Sequence, residues 1–180
     1  LEVAIAVERS MDWQLGIVLI LVSIAAWTDL SVGKIYNWNT YSGMLIGLGM
    51  SFLPESRITP GDAFSGWWIC GGIMLVCYVL LKIGGGDVKL TAMLGACLGL
   101  EDGLNVLLWT CTLAAIAAAA SVIWQVGAWE LLKGTFYRLK QLIQAQGWVP
   151  WTTGQRQILN QRFRFGPSAL AAVLLIYWMK

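Results

Sequence analysis

Two aspartates are the residues of this chain best placed to do chemistry. Asp87 follows three glycines in Gly84-Gly85-Gly86-Asp87-Val88-Lys89, just beyond the apolar stretch from Phe64 to Leu81. Asp29 ends the first apolar stretch in a similar setting. A charged side chain at the edge of an apolar segment is costly, which makes it a candidate for function. Two carboxyl groups that face one another divide the roles of acid and base, because like charges at close range cannot both ionise easily. The ionised member can take a proton from water, and the protonated member can donate one to the carbonyl oxygen of a peptide. Such hydrolysis needs no metal and no histidine.

The neighbours of the aspartates admit two readings each. Gly84, Gly85 and Gly86 would allow a tight turn and the close approach of a substrate strand. Lys34 and Lys89 would tune the carboxylates, or simply anchor the chain among headgroups. Asn37 would hydrogen-bond a carboxylate, or cap the second apolar helix. Asp87 itself, standing before an apolar helix, would serve as an N-cap without doing chemistry, and Asp29 as an ordinary helix-end residue.

The rest of the composition narrows the choice. The chain has 180 residues, 58% of them hydrophobic and only 12% charged, with a net charge of +2. A soluble domain carries roughly 25% charged residues, so this chain is expected to be an all-α integral membrane protein. It has no histidine, which excludes the Ser/His/Asp and Cys/His catalytic arrangements. Cys70, Cys77, Cys97 and Cys111 lie in apolar runs and form no CxxC pair. They are expected to be small buried hydrophobes, with no zinc cluster or disulfide framework. No metal, cofactor or nucleic-acid partner is expected. Glu2, Glu8 and Asp12 give the chain an acidic start, so the first apolar run is expected to be a retained span and not a cleaved signal.

Six apolar runs carry the aspartates: roughly Trp13–Thr28, Asn39–Leu53, Phe64–Leu81, Val88–Leu100, Gly103–Trp129 and Phe165–Met179. Several fall short of the ~20 residues that cross a bilayer comfortably. The connections between them alternate in charge. Lys34, Lys82, Lys89, Lys133, Arg138, Lys140, Arg156, Arg162 and Arg164 fall on one side, nine of the twelve basic residues. The other side holds Arg9, Arg57 and Lys180 with seven of the ten acidic residues. The positive-inside rule then predicts about six transmembrane helices with the N terminus outside. It also puts Asp29 and Asp87 at the cytoplasmic ends of their spans, although nothing in that count assumed that they work together.

Trp13, Trp27, Trp38, Trp67, Trp68, Trp129 and Trp178 fall near predicted span ends, as an interfacial aromatic belt would. Between spans five and six, Leu132, Phe136, Leu139 and Ile143 share one helical face. Residues 129–147 therefore read as an amphipathic helix on the cytoplasmic leaflet, and residues 148–164 as a basic loop. The whole chain, 1–180, reads as a single polytopic domain, with 129–164 its cytoplasmic segment.

Three strings together resemble the type IV prepilin peptidase family. Thr28-Asp29-Leu30-Ser31-Val32-Gly33-Lys34-Ile35-Tyr36-Asn37-Trp38 is similar to the family's first motif, an aspartate, four residues, a basic residue and Ile-Pro-Asn. Gly84-Gly85-Gly86-Asp87-Val88-Lys89-Leu90, with the small residues through Gly99, resembles the second, GxGD motif. Phe163-Arg164-Phe165-Gly166-Pro167-Ser168-Ala169-Leu170-Ala171 resembles the closing Pro-Phe-Gly-Pro helix start. Tyr36 stands where the family usually has proline. The resemblance implies a membrane-embedded aspartic endopeptidase that removes the leader of prepilin or pseudopilin precursors at the cytoplasmic face. It assigns Asp29 and Asp87 as the catalytic pair, with Gly84, Gly86 and Lys89 in the second motif. The paired CxxC motifs of the methylating long members are missing, so the chain looks like a short, peptidase-only member of the kind that serves Flp/Tad-type pili or archaeal systems. Its expected partners are the precursor and membrane lipids. Two other readings compete: an intramembrane GxGD protease of the presenilin type, and a small transporter or assembly scaffold without enzymatic activity.

Overall fold

Long apolar runs, interrupted only by short clusters of glycine, proline and polar residues, can satisfy their backbone in lipid only as helices. The computed structural model of the protein describes residues 2–81, 84–126 and 165–179, and among these there are five helices and no strand. They are α1 (Glu2–Val32), α2 (Asn37–Met50), α3 (Pro60–Leu81), α4 (Gly85–Val126) and α5 (Gly166–Met179). Residues 1–113 with 164–180 make one compact unit, and residues 114–163 a second. In the second unit only the helical stretch to Val126 is described. The predicted interfacial helix 129–147 and the loop 148–164 lie outside the described residues.

The helix ends follow from local chemistry. Gly33, at φ 67°, takes the left-handed conformation that stops α1, and its N–H bonds the Asp29 carbonyl at 3.0 Å. Pro60 opens α3, where its missing N–H costs nothing. Thr59 closes that end with a reciprocal cap: its hydroxyl accepts from the Asp62 N–H at 3.2 Å and donates to Asp62 Oδ2 at 2.8 Å. At the other end of the chain's first unit, α1 begins at Glu2, well before the expected Trp13. The charged residues Glu2, Glu8, Arg9 and Asp12 leave the apolar pattern but do not oppose helix.

The fourth and fifth apolar runs are joined in α4, whose backbone breaks at Gly99 (φ 80°, ψ −173°). In a continuous helix, residues eight apart are separated by about 12 Å along the axis. Here a Cβ on Gly103 would lie 3.0 Å from the Cα of Gly95. The chain therefore doubles back at Gly99, a backbone conformation open mainly to glycine. Gly66 of α3 packs into the same corner, so closely that a Cβ on Gly95 would run into the Gly66 carbonyl.

Other contacts fix the directions of the helices. Gly43 and Gly47 of α2 meet Met93 and Cys97 of α4, in step along the chain. Gly66 and Gly71 of α3 meet Gly99 and Ala92, in opposite order. The start of α5 meets Ala25, Ala26 and Asp29, at the far end of α1. Consecutive passes thus alternate in direction. The end of α1 and the starts of α2, the first half of α4 and α5 gather at one pole.

The core between the passes holds Val18, Val22, Met74, Leu90, Met93, Leu94, Ala169 and Val173. Outward-facing positions are also apolar, among them Leu45, Val79, Leu80 and Leu108, with Trp27, Trp38, Trp68 and Trp178 exposed. Three helices, α1, α3 and α4, are long and apolar enough to cross a membrane, and α5 is a shorter apolar helix. At the pole away from the aspartates a polar cluster ties the ends together. Gln14 Nε2 donates to Ser56 Oγ at 3.1 Å, the Arg57 N–H donates to Gln14 Oε1 at 3.3 Å, and Arg57 pairs with Asp102 at 3.5 Å. The Arg57 side chain also hydrogen-bonds Tyr177.

Candidate active site

Asp29 sits in the last turn of α1 and is 7% exposed. It is buried because α5 begins directly on it. The N–H of Gly166, first residue of α5, donates to Asp29 Oδ2 at 2.8 Å. Amides at the start of a helix lack partners within the helix and suit a carboxylate oxygen. Asp87 sits in the first turn of α4, half-buried. Its N–H donates to the Gly84 carbonyl at 3.0 Å, and its carboxylate folds back until Oδ2 lies 3.0 Å from where a Cβ on Gly84 would be. Each aspartate therefore lies at a helix N terminus: Asp87 at that of its own helix, Asp29 at that of a helix far away in sequence.

The turn between α1 and α2 packs on the start of α4. Ile35 rests on Gly86, whose Cβ would stand 3.2 Å from that of Ile35. Two residues on, Lys89 Nζ donates to Asn37 Oδ1 at 2.9 Å and lies 5.1 Å from the centre of the Tyr41 ring. These contacts seat the start of α4 against the turn after α1 and the start of α2. Among the described residues neither aspartate forms an ion pair. No cluster of potential metal ligands occurs among them either.

The expected supporting residues fall into three groups. Gly84, Gly85 and Gly86 form the start of α4, with Gly84 and Gly85 exposed and Gly86 covered by Ile35. Asn37 and Lys89 are partners, so Asn37 neither caps α2 by its side chain nor bonds a carboxylate, and Lys89 is held inside the protein's polar contacts. Lys34 is exposed in the turn. Asp87 is not an N-cap, since that place belongs to Gly84.

Sequence reasoning missed two participants. Tyr41 gives Lys89 an aromatic face, and its signal was a position one helical turn beyond Asn37 on α2. Gly166 touches Asp29, and its signal was the Phe-Gly-Pro string at the start of a small-residue helix, visible in the sequence but not connected to either aspartate.

An apolar helical protein with two aspartates at one pole falls in the class of proteins whose helices are long and apolar enough to cross a membrane. The chain belongs to the type IV leader peptidase family, whose profile matches residues 16–119. Membership makes it a membrane protein and a protease of an aspartic type. Neither a curated protein nor a solved structure matches the chain significantly.

Proposed function

We propose that this protein is a prepilin-type leader peptidase that cuts at the cytoplasmic face of the cell's inner membrane, with Asp29 and Asp87 as the catalytic pair. The observation that carries the proposal is their placement at one pole, each at a helix N terminus: Asp87 in the first turn of α4, Asp29 against the Gly166 N–H of α5. Six membrane passes with the N terminus outside put that pole in the cytoplasm, following the excess of Lys and Arg in the connections there. The substrate is a prepilin or pseudopilin precursor of the Flp/Tad kind, and the chain carries no methyltransferase activity.

The two carboxyl groups share one proton between them in the resting state. A water bound between them loses a proton to the ionised aspartate as its oxygen attacks the scissile carbonyl. The protonated aspartate gives its proton to the carbonyl oxygen, forming a neutral tetrahedral diol. The proton gained from water then passes to the leaving nitrogen, the other aspartate takes a proton back from a diol hydroxyl as the C=O bond re-forms, and the C–N bond breaks. The products are a carboxylic acid and an amine, and the pair is again left with one proton. The glycines before Asp87 leave its approach free of side chains, so that an extended substrate backbone can reach it.

The test is cleavage of a leader-bearing precursor by the purified chain and by its Asp29→Asn and Asp87→Asn variants. Each substitution should lower kcat by about 10³-fold or more, with the melting temperature in detergent held. Full activity in the doubly substituted protein would refute the assignment.

A further inference from the structure

We propose that Gly166 is a positioning residue for Asp29, and that the N terminus of α5 is the third structural piece of the hydrolytic site. The inference rests on the aspartate pair being catalytic. What it adds is a reason why the last helix, outside the matched family segment 16–119, belongs to the machinery.

The carboxyl torsion of an aspartate is broad and roughly two-fold. A catalytic carboxylate that must present one oxygen to a water therefore needs its other oxygen held. Gly166 does this with a backbone N–H, at 2.8 Å from Oδ2 and across 137 residues of sequence. A backbone donor on a helix neither titrates nor swings away. Among the described residues it is the single hydrogen bond to the Asp29 carboxylate, so Oδ1 is left for the reaction.

The start of α5 leaves the Gly166 donor to the carboxylate. The Phe165 carbonyl takes the N–H of Ala169 at 3.1 Å. Pro167, directly after Gly166, has no N–H that could compete for the carboxylate. Gly166 is also the residue type the seat demands. A Cβ there would stand 3.0 Å from the Ala26 Cα, 3.0 Å from the Asp29 Cβ and 3.2 Å from the Ala25 carbonyl oxygen. A side chain there would press on backbone and on Asp29 itself, so the amide and the carboxylate would have to shift by a few tenths of an ångström. Behind it Phe165, Ala169, Ala172 and Val173 are buried, so the helix has no slack with which to follow Asp29 elsewhere.

The experiment removes the N–H without adding atoms at Cα. Glycolic acid introduced at position 166 by nonsense suppression turns the amide into an ester. The full chain is compared with this variant, with Gly166→Ala, and with Gly16→Ala as a control whose added methyl meets nothing within 4 Å. On a leader-bearing precursor the ester should lose about 10- to 100-fold in kcat with KM nearly unchanged, the loss expected for one hydrogen bond to a charged group. Gly166→Ala should lose more, and Gly16→Ala nothing. The carbon-13 signal of a labelled Asp29 carboxyl should move in the ester and stay put in Gly16→Ala, whether or not the chain cleaves the precursor. A normal kcat in the ester, a loss confined to KM, or an unmoved carboxyl signal overturns the proposal. A moved signal in the ester, with a wild type that cuts no leader, would uphold the positioning contact and discard the peptidase reading alone.

Discussion

The two poles of the bundle hold the same kinds of side chain in opposite arrangements. At one, Asp102 is matched by Arg57, and Gln14, Ser56 and Tyr177 complete the contacts between helix ends. At the other, Asp29 and Asp87 lie at the same pole, each at a helix N terminus, and among the described residues no cation pairs with either. The nearest described lysine partnership, Lys89 with Asn37 and Tyr41, is spent on seating the helix and not on neutralising a carboxylate. Opposite charges joined across a loop hold a fold together. Like charges gathered in apolar surroundings oppose it and persist for function. The poles should therefore respond in opposite senses to the same chemical change.

The largest expected effect breaks the comparison directly. Asp29→Asn removes a charge from the strained pole. It should abolish about 10³-fold or more of the cleavage rate while leaving thermal stability near that of wild type. Asp102→Asn removes a charge from the matched pole. It should leave the rate alone and cost on the order of 1 kcal/mol or less, since the Arg57 and Asp102 side chains are 33% and 15% exposed. Parallel melts and rates for the two variants check this. If both lost rate, or both lost stability, the two poles would not differ in kind.

A second effect tests what lies between the poles. Gly95→Ala should drive its methyl into the Gly66 carbonyl where the chain doubles back. Overpacking of this sort costs roughly 1–3 kcal/mol, and the corner has no flexible side chain to give way. The loss should appear as a lower melting temperature in detergent. Activity at permissive temperature should survive, because the corner belongs to the end of the molecule away from the aspartates. Gly49→Ala, at a helical glycine with nothing within 4 Å, should be neutral or slightly stabilising.

The third effect sharpens the role of the lysine at the strained pole. Lys89→Met and Asn37→Ala should each lower kcat by about tenfold, and the double variant should lose no more than either alone, as expected for partners in one contact. Additive losses would mean that Lys89 acts on the substrate or the carboxylates independently of Asn37.

Much of this arrangement was legible in the sequence because it is written locally. Helices follow from apolar runs, and both aspartates stand out by charge against such runs. The alternating basic connections predict that they share a side, and the structure gathers them at one pole. What was not legible depends on contacts between distant segments. Residues 88–129 read as two spans with a connector around Glu101 and Asp102, while the chain reverses at Gly99, a residue indistinguishable in sequence from Gly95 four places earlier. Asn37 reads as a cap because it precedes an apolar run. The structure gives its side chain to Lys89, which no local rule could supply. Gly166 shows the limit most clearly, for its partner lies at the other end of the chain.

The smallest expected effect concerns Tyr36, where the resembled family has proline. The substitution would matter if the turn after Asp29 required a different backbone. It does not: Tyr36 has φ −75° and ψ 135°, inside the range to which a proline ring is confined. Among the described residues its N–H makes no backbone hydrogen bond, so a proline would forfeit none. The side chain is 43% exposed and fills no core position. Tyr36→Pro should therefore raise stability by about 0.4–1 kcal/mol, chiefly by restricting the unfolded chain. The turn carries Ile35 onto Gly86 and so helps set Asp29 beside Asp87. If that backbone is already the one proline would impose, kcat should stay within about twofold of wild type. A destabilised or inactive variant would show that the phenol or the amide of Tyr36 does more at the strained pole than hold a turn.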